Sequence, residues 1–189
     1  MAELIVPAFD IANRLAAALD VAGVPYAIGG AIAWGIWADP RGTHDVDINL
    51  FVTPDQLGHA LDILAAAGLE IDRRRAFEAD LEGQVLVGRS DGLRVDLFTP
   101  SIPFSWEALK TRKRLTGVSG TAYYLSAEAI TVFKLLFFRP KDLLDLEKLL
   151  AVQGKGLDAP YVRRWLVEMM GETDPRVVTW DGLVARYWK

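Results

Sequence analysis

Apolar residues along this chain follow two rhythms, and each predicts a different kind of element. Ile11, Leu15, Ala18, Leu19 and Ala22 recur at helical spacing and predict an amphipathic helix over 11–22. Val24-Pro25-Tyr26-Ala27-Ile28 reads as a strand that runs into Gly29-Gly30, and the apolar stretch from there to Trp37 suits a short buried helix. Asp39-Pro40-Arg41-Gly42 is a turn by its proline, glycine and locally bonding aspartate. A second strand is expected within Thr43 to Val52, then a helix over Pro54 to Ala67 with Leu57, Leu61, Ile63 and Leu64 inward and Gly68 as its stop. Gln84 to Gly88 and Leu93 to Phe98, separated by Arg89-Ser90-Asp91-Gly92, whose Asp-Gly marks the turn, predict an antiparallel hairpin. Past Pro100 the pattern changes to a short strand near 121–124 and helices over 126–138, 140–152 and 159–170. The expected fold class is α/β in the α+β sense: a mixed sheet with flanking helices over 1–125, and a helical C-terminal part over 126–189 packed on it.

Composition narrows the chemistry. With 189 residues, 51% of them hydrophobic and 24% charged, the chain can bury a sizeable core. Cysteine is absent, so any metal falls to oxygen ligands or to the two histidines, which makes a hard ion such as Mg²⁺ the default. The net charge of -4 argues against a protein that coats nucleic acid by charge alone. Local basic clusters exist at Arg73-Arg74-Arg75, at Lys110-Thr111-Arg112-Lys113-Arg114, and at Lys134 with Arg139 and Lys141; the first reads as a solvated face. Met1-Ala2-Glu3-Leu4 opens no secretion signal and no segment reaches the roughly 18 apolar residues of a membrane span, so a cytoplasmic protein away from membranes is expected.

The second predicted strand carries Asp45-Val46-Asp47. Strand alternation puts both carboxylates on one face and Val46 with Ile48 on the other. That spacing suits a shared site for two hard cations about 4 Å apart, bridged by carboxylates and nucleotide phosphates. Asp96, between Val95 and Leu97, is the expected third carboxylate from a neighbouring strand. Gly29-Gly30, where a strand turns into a helix, permits close backbone approach to a phosphate. Arg41, just before the strand, can reach a triphosphate or stabilise the turn. His44 alternates away from the aspartates, His59 sits on a surface helix, and Trp34 and Trp37 read as core.

Gly29-Gly30, Asp45-x-Asp47 and Asp96 together resemble the signature of the DNA polymerase β-type nucleotidyltransferase superfamily. The segment Ile28-Gly29-Gly30 through Arg41-Gly42-Thr43-His44-Asp45-Val46-Asp47 resembles in particular the AbiEii (MenT-like) toxin nucleotidyltransferases. Their helical signature has a counterpart in Lys134, Arg139, Lys141-Asp142 and Asp145-Leu146, and the match spans about residues 24 to 150. Gly30 departs from the serine that many members carry there. The resemblance implies an enzyme that moves a nucleoside monophosphate from an NTP onto an acceptor hydroxyl. Asp45, Asp47 and Asp96 would hold two Mg²⁺ ions, and Gly29, Gly30, Arg41, Thr43, Lys134, Arg139, Lys141 and Asp142 would contact the nucleotide, with Lys134 and Asp145 also in the catalytic set. It further implies a tRNA 3′ end as acceptor and a toxin role opposed by a cognate antitoxin. Residue chemistry leaves three alternatives open: a small-molecule, antibiotic-type acceptor; a catalytically silent binding partner; and, for the C-terminal block, no more than a local Lys141–Asp145 pair on an exposed helix.

Overall fold

A computed structural model describes residues 5–117 and 120–188. The Met1–Leu4 stretch read above for a secretion signal lies outside the described residues. The elements are α1 (Ile5–Val21), β1 (Tyr26–Ile28), α2 (Gly30–Trp37), β2 (Asp45–Leu50), α3 (Pro54–Ala66), α4 (Arg73–Leu81), β3 (Leu86–Ser90), β4 (Leu93–Phe98), α5 (Pro103–Thr111), β5 (Lys113–Gly117), β6 (Gly120–Tyr124), α6 (Ala127–Phe137), α7 (Pro140–Gln153), α8 (Ala159–Met170) and α9 (Pro175–Tyr187). They divide into two compact units, one of residues 1–33 and 41–125, the other of residues 34–40 and 126–189. Among the described residues no helix is long and apolar enough to cross a membrane.

The first unit is built on a mixed sheet in the order β3-β4-β2-β1-β6-β5. Val46, Ile48, Val95, Leu97 and Ile28 are fully buried on one face, and α1 lies against β1, β2, β6 and α3. At the tip of the β3–β4 hairpin, Asp91 and Gly92 both have positive φ (48° and 80°), the backbone of a two-residue type I′ turn that suits the strand twist. The turn is the expected Asp91-Gly92 pair, and β3 runs on past Gly88 because Arg89 and Ser90 continue the ladder opposite Arg94 and Leu93.

Several expectations change. Helix α1 begins at Ile5, earlier than the apolar periodicity suggested, and in α3 the inward side is Leu57, Ala60, Leu61 and Leu64, with Ile63 only half-buried. Helix α4 was not expected: its RRRAFEADL sequence buries only Ala76, and it is held instead by Asp72, whose side chain accepts from Arg75 N–H. Strand β5 is an exposed outer strand with little apolar content, which hides it from a periodicity reading. Helices α5 and α9 were also missed, although Asp174-Pro175 ahead of Val177, Trp180 and Leu183 is a legible N-cap and first-turn signal for α9.

The second unit is helical. Ser126 caps α6 by accepting from Ala129 N–H at 3.1 Å, and Phe138 ends it in the left-handed conformation. Pro140 then starts α7. Leu135, Leu146, Leu149, Val162, Leu166, Val177 and Trp180 form its core. Trp34 belongs to this core too, 1% exposed, with its indole N–H donating to the Asp145 carbonyl at 3.2 Å. Trp37 is half-buried.

Candidate active site

In the first unit, strand β2 runs parallel to β4 in a register that sets Asp45 beside Arg94 and Asp47 beside Asp96. The intervening Val46 and Val95 are fully buried on the other face, so alternation turns all four charged side chains to the open face. Thr43 is buried, and its hydroxyl donates to the Asp45 carboxylate. On the other side of β2, strand β1 is antiparallel and ends at Ile28 opposite Ile48. Gly29 N–H donates to the Asp47 carbonyl at 2.8 Å, which carries the ladder one residue further. His44, His59 and Arg41 are exposed.

The two glycines are there because Asp47 and Asn49 press against them. A Cβ at Gly29 would lie 2.7 Å from Asn49 Nδ2. At Gly30, where φ is +53°, a Cβ would fall on the Asp47 carboxylate and 2.9 Å from Asp47 Cβ. The serine common in the AbiEii-like pattern therefore does not fit this backbone. Gly30→Ser is expected to lower the thermal midpoint by several degrees, since a left-handed side-chain residue costs about 1 kcal/mol or more before the collision is counted. Gly23→Ala, at a left-handed glycine with open space around it, provides the strain-only control in the same melting experiment.

Gly29 N–H being spent on Asp47, the phosphate-binding expectation for the pair shifts to Gly30 and the next residues of α2. Their N–H groups precede the first intrahelical bond, Ala33 N–H to the Gly29 carbonyl at 3.0 Å.

Three carboxylates on one sheet face are the right donors for a hard cation. Yet among the described residues no three Asp, Glu or His side chains are gathered closely enough to hold a metal ion. Asp96, 13% exposed as a side chain, accepts from Arg94 Nε at 2.7 Å. Arg94 was not singled out in the sequence, though its position two residues before Asp96 puts it on the same face.

The second unit gathers Lys134, Arg139, Asp142 and Asp145. Lys134 Nζ lies 2.6 Å from Asp145 Oδ2 and 3.5 Å from Asp142 Oδ1. Arg139 Nε donates to Asp142 Oδ2 at 2.7 Å and its backbone N–H at 3.2 Å. Lys134, Asp142 and Asp145 are buried, at 8%, 1% and 6% exposure, while Lys141 is exposed. The alternative of a solvated Lys141–Asp145 pair is corrected by this burial: Asp145 points inward to Lys134.

Burial pushes the Asp142 carboxyl up, but the Arg139 hydrogen bond and the Lys134 charge outweigh it and hold the group below its usual value of 3.8. A depressed folded pKa means stability that is complete above the unfolded value and lost as pH falls through the folded one. Denaturant titrations between pH 6 and 2 are therefore expected to show stability falling once pH drops below about 4, with a shallower fall in Asp142→Asn.

The basic clusters are largely occupied by neighbours. Arg73 pairs with Asp62, Arg74 with Glu78 and Arg75 with Asp72, all through exposed side chains. Lys110 lies 3.2 Å from Glu107. Arg112 donates to the Tyr26 carbonyl at 2.9 Å and stacks 4.0 Å over Tyr123. Arg114 pairs with Asp20 at 3.4 Å. Strand β5 with its Lys113 lies three strand spacings from β2 in the sheet order, about 14 Å at the usual spacing.

Comparison with solved structures places this arrangement. The solution structure of the antibiotic-resistance factor ANT(2'')-Ia is 14% identical, covers 84% of this chain and 93% of its own, and superposes with a TM-score of 0.53. A crystal structure of ANT(2'')-Ia in complex with adenylyl-2''-tobramycin gives 14% identity, 93% and 95% coverage and a TM-score of 0.51. An antigenic nucleotidyltransferase-like protein from Paracoccidioides brasiliensis gives 19%, 89%, 91% and 0.52. No protein-family model matches the chain, and no curated protein matches it. The chain therefore has the nucleotidyltransferase fold, a mixed sheet with flanking helices, and is similar to these proteins in that fold.

Proposed function

We propose that this chain is a metal-dependent nucleotidyltransferase that moves a nucleoside monophosphate from an NTP to an acceptor hydroxyl. One observation carries the reading: the parallel β2–β4 register, which sets Asp47 beside Asp96 with Asp45 on the same face, next to the Gly29-Gly30 turn. Mg²⁺ bound by these carboxylates would neutralise phosphate charge and polarise the α-phosphate. Asp45 and Asp47 would hold it, Thr43 orients Asp45, and the N–H groups at the start of α2 would receive the β and γ phosphates. The acceptor oxygen attacks the α-phosphorus and its proton passes to the Asp96 carboxylate. The bond from α-phosphorus to the bridging oxygen breaks, and pyrophosphate leaves. Catalysis is then positioning and charge stabilisation, with no covalent intermediate on the protein.

Two acceptors are in play. A tRNA 3′ end, with a toxin role and a cognate antitoxin, rests on the AbiEii resemblance and on the basic segment 110–114. A hydroxylated, cationic small molecule is favoured by the net charge of -4, by the engagement of Lys110, Arg112 and Arg114 with Glu107, Tyr26 and Asp20, and by the likeness to ANT(2'')-Ia. Incubating the protein with each labelled NTP, Mg²⁺ and either total tRNA or tobramycin, the compound adenylylated in the ANT(2'')-Ia complex, decides between them. Label on tRNA alone supports the first, label on the small molecule alone the second, and label on neither under any NTP overturns the transferase reading. If tRNA is the acceptor, Lys113→Glu with Arg114→Glu is expected to cut its labelling and flatten the salt dependence while leaving NTP binding intact.

A further inference from the structure

The open face around Asp47 has a fourth charged member, which changes how the carboxylates are held. Asp45 and Asp47 on β2 stand beside Arg94 and Asp96 on β4, a two-by-two block of three negative charges and one positive. Within it Arg94 Nε bonds Asp96 Oδ1 at 2.7 Å, the aspartate side chain 13% exposed and the arginine about half. In the register Arg94 stands opposite Asp45, and alternation puts it on the same face as Asp47 and Asp96. An exposed ion pair two residues apart would ordinarily matter little. Here the acceptor is a mostly buried carboxylate that a metal ion would also need, and the three aspartates are not gathered into a ligand set.

We propose that Arg94 is a built-in counter-cation of this face, which withholds Asp96 from a divalent ion until that ion displaces it. The inference rests on the metal-dependent reading above. Asp96 is bonded to Arg94 from its own strand, so its charge is already compensated in the metal-free protein. A cation bound by Asp45 and Asp47 takes over that role, and Asp96 is free to turn to it only once its bond to Arg94 is given up. Arg94 is thus a positioning residue for Asp96 and sets the metal concentration at which the site assembles.

The test is a Mn²⁺ titration of the full chain without nucleotide, followed by electron paramagnetic resonance of free Mn²⁺, with folding checked by circular dichroism. Arg94→Gln is expected to bind Mn²⁺ about tenfold more tightly than the parent, the scale of one lost charge-assisted hydrogen bond. Arg94→Lys keeps the charge and is expected to stay near the parent affinity. Asp45→Asn added to Arg94→Gln is expected to erase the gain. Equal or weaker binding by Arg94→Gln, or a gain as large in Arg94→Lys, overturns the counter-cation role while leaving the metal reading standing. A gain that survives Asp45→Asn also overturns it, since the ion would then be bound elsewhere. Absence of Mn²⁺ binding by the parent and Arg94→Gln alike overturns the metal reading itself, and this inference with it.

Discussion

Asp47→Asn is expected to cut nucleotidyl transfer on the order of 10³-fold. On the proposed reading Asp47 would hold the charge-neutralising metal, and its carboxylate would then be worth several kcal/mol in the transition state at about 1.4 kcal/mol per decade of rate. An amide keeps the shape that fills the space over Gly30. Label transfer to the acceptor identified above, with a thermal melt of the metal-free protein to check folding, reads the effect. Near-parent transfer by Asp47→Asn would remove Asp47 from the site, and a large drop in melting temperature would make it a structural residue. Asp45→Asn is expected to behave alike in activity, with a small stability loss because the buried Thr43 hydroxyl donates to its carboxylate.

Lys134→Ala is expected to destabilise the chain by about 3–5 kcal/mol, the usual consequence of leaving a buried charge without its partner. Lys134 is the partner of Asp145 at 2.6 Å and faces Asp142 at 3.5 Å, all three buried. Urea unfolding measures the loss. Its size matters for interpretation, because a fall in transfer by Lys134→Ala reports on folding before it reports on any phosphate contact. Pairing Lys134→Met with Asp145→Leu removes two of the three buried charges, leaves Asp142 with Arg139 at 2.7 Å, and is expected to recover much of the stability. If the double variant is stable, its transfer rate at saturating NTP isolates the nucleotide role that the family resemblance assigns to Lys134. A single Lys134→Ala that melts like the parent would show the cluster to be energetically idle.

The sheet and most helices were legible along the chain because their signals are local. Alternation around Asp45-Val46-Asp47 and Val95-Asp96-Leu97, the Asp91-Gly92 turn, and Pro140 at a helix start each act over a few residues. The carboxylates themselves could be named for the same reason, since alternation alone separates Asp45, Asp47 and Asp96 from their buried neighbours. Elements with weak apolar patterning escaped: α4 buries only Ala76, and β5 lies on the outer edge of the sheet with exposed polar residues.

What only tertiary structure decided is how charges pair across sequence distance. Periodicity does not say that β2 and β4 run parallel with Asp47 at the level of Asp96, because register is set by the packing of Val46, Ile48, Val95 and Leu97 on the far face. Nor does it say that Asp47 fills the space over Gly30, which turns an apparent departure from a serine pattern into a steric requirement. Lys134 and Asp145 are 11 positions apart on two helices. Their burial together, rather than on a solvated surface, is a consequence of helix packing that no single helix encodes. Arg94 sits two residues from Asp96, so its identity was on view from the start. Its hold on that carboxylate emerged only once the neighbouring strand brought two more negative charges beside it.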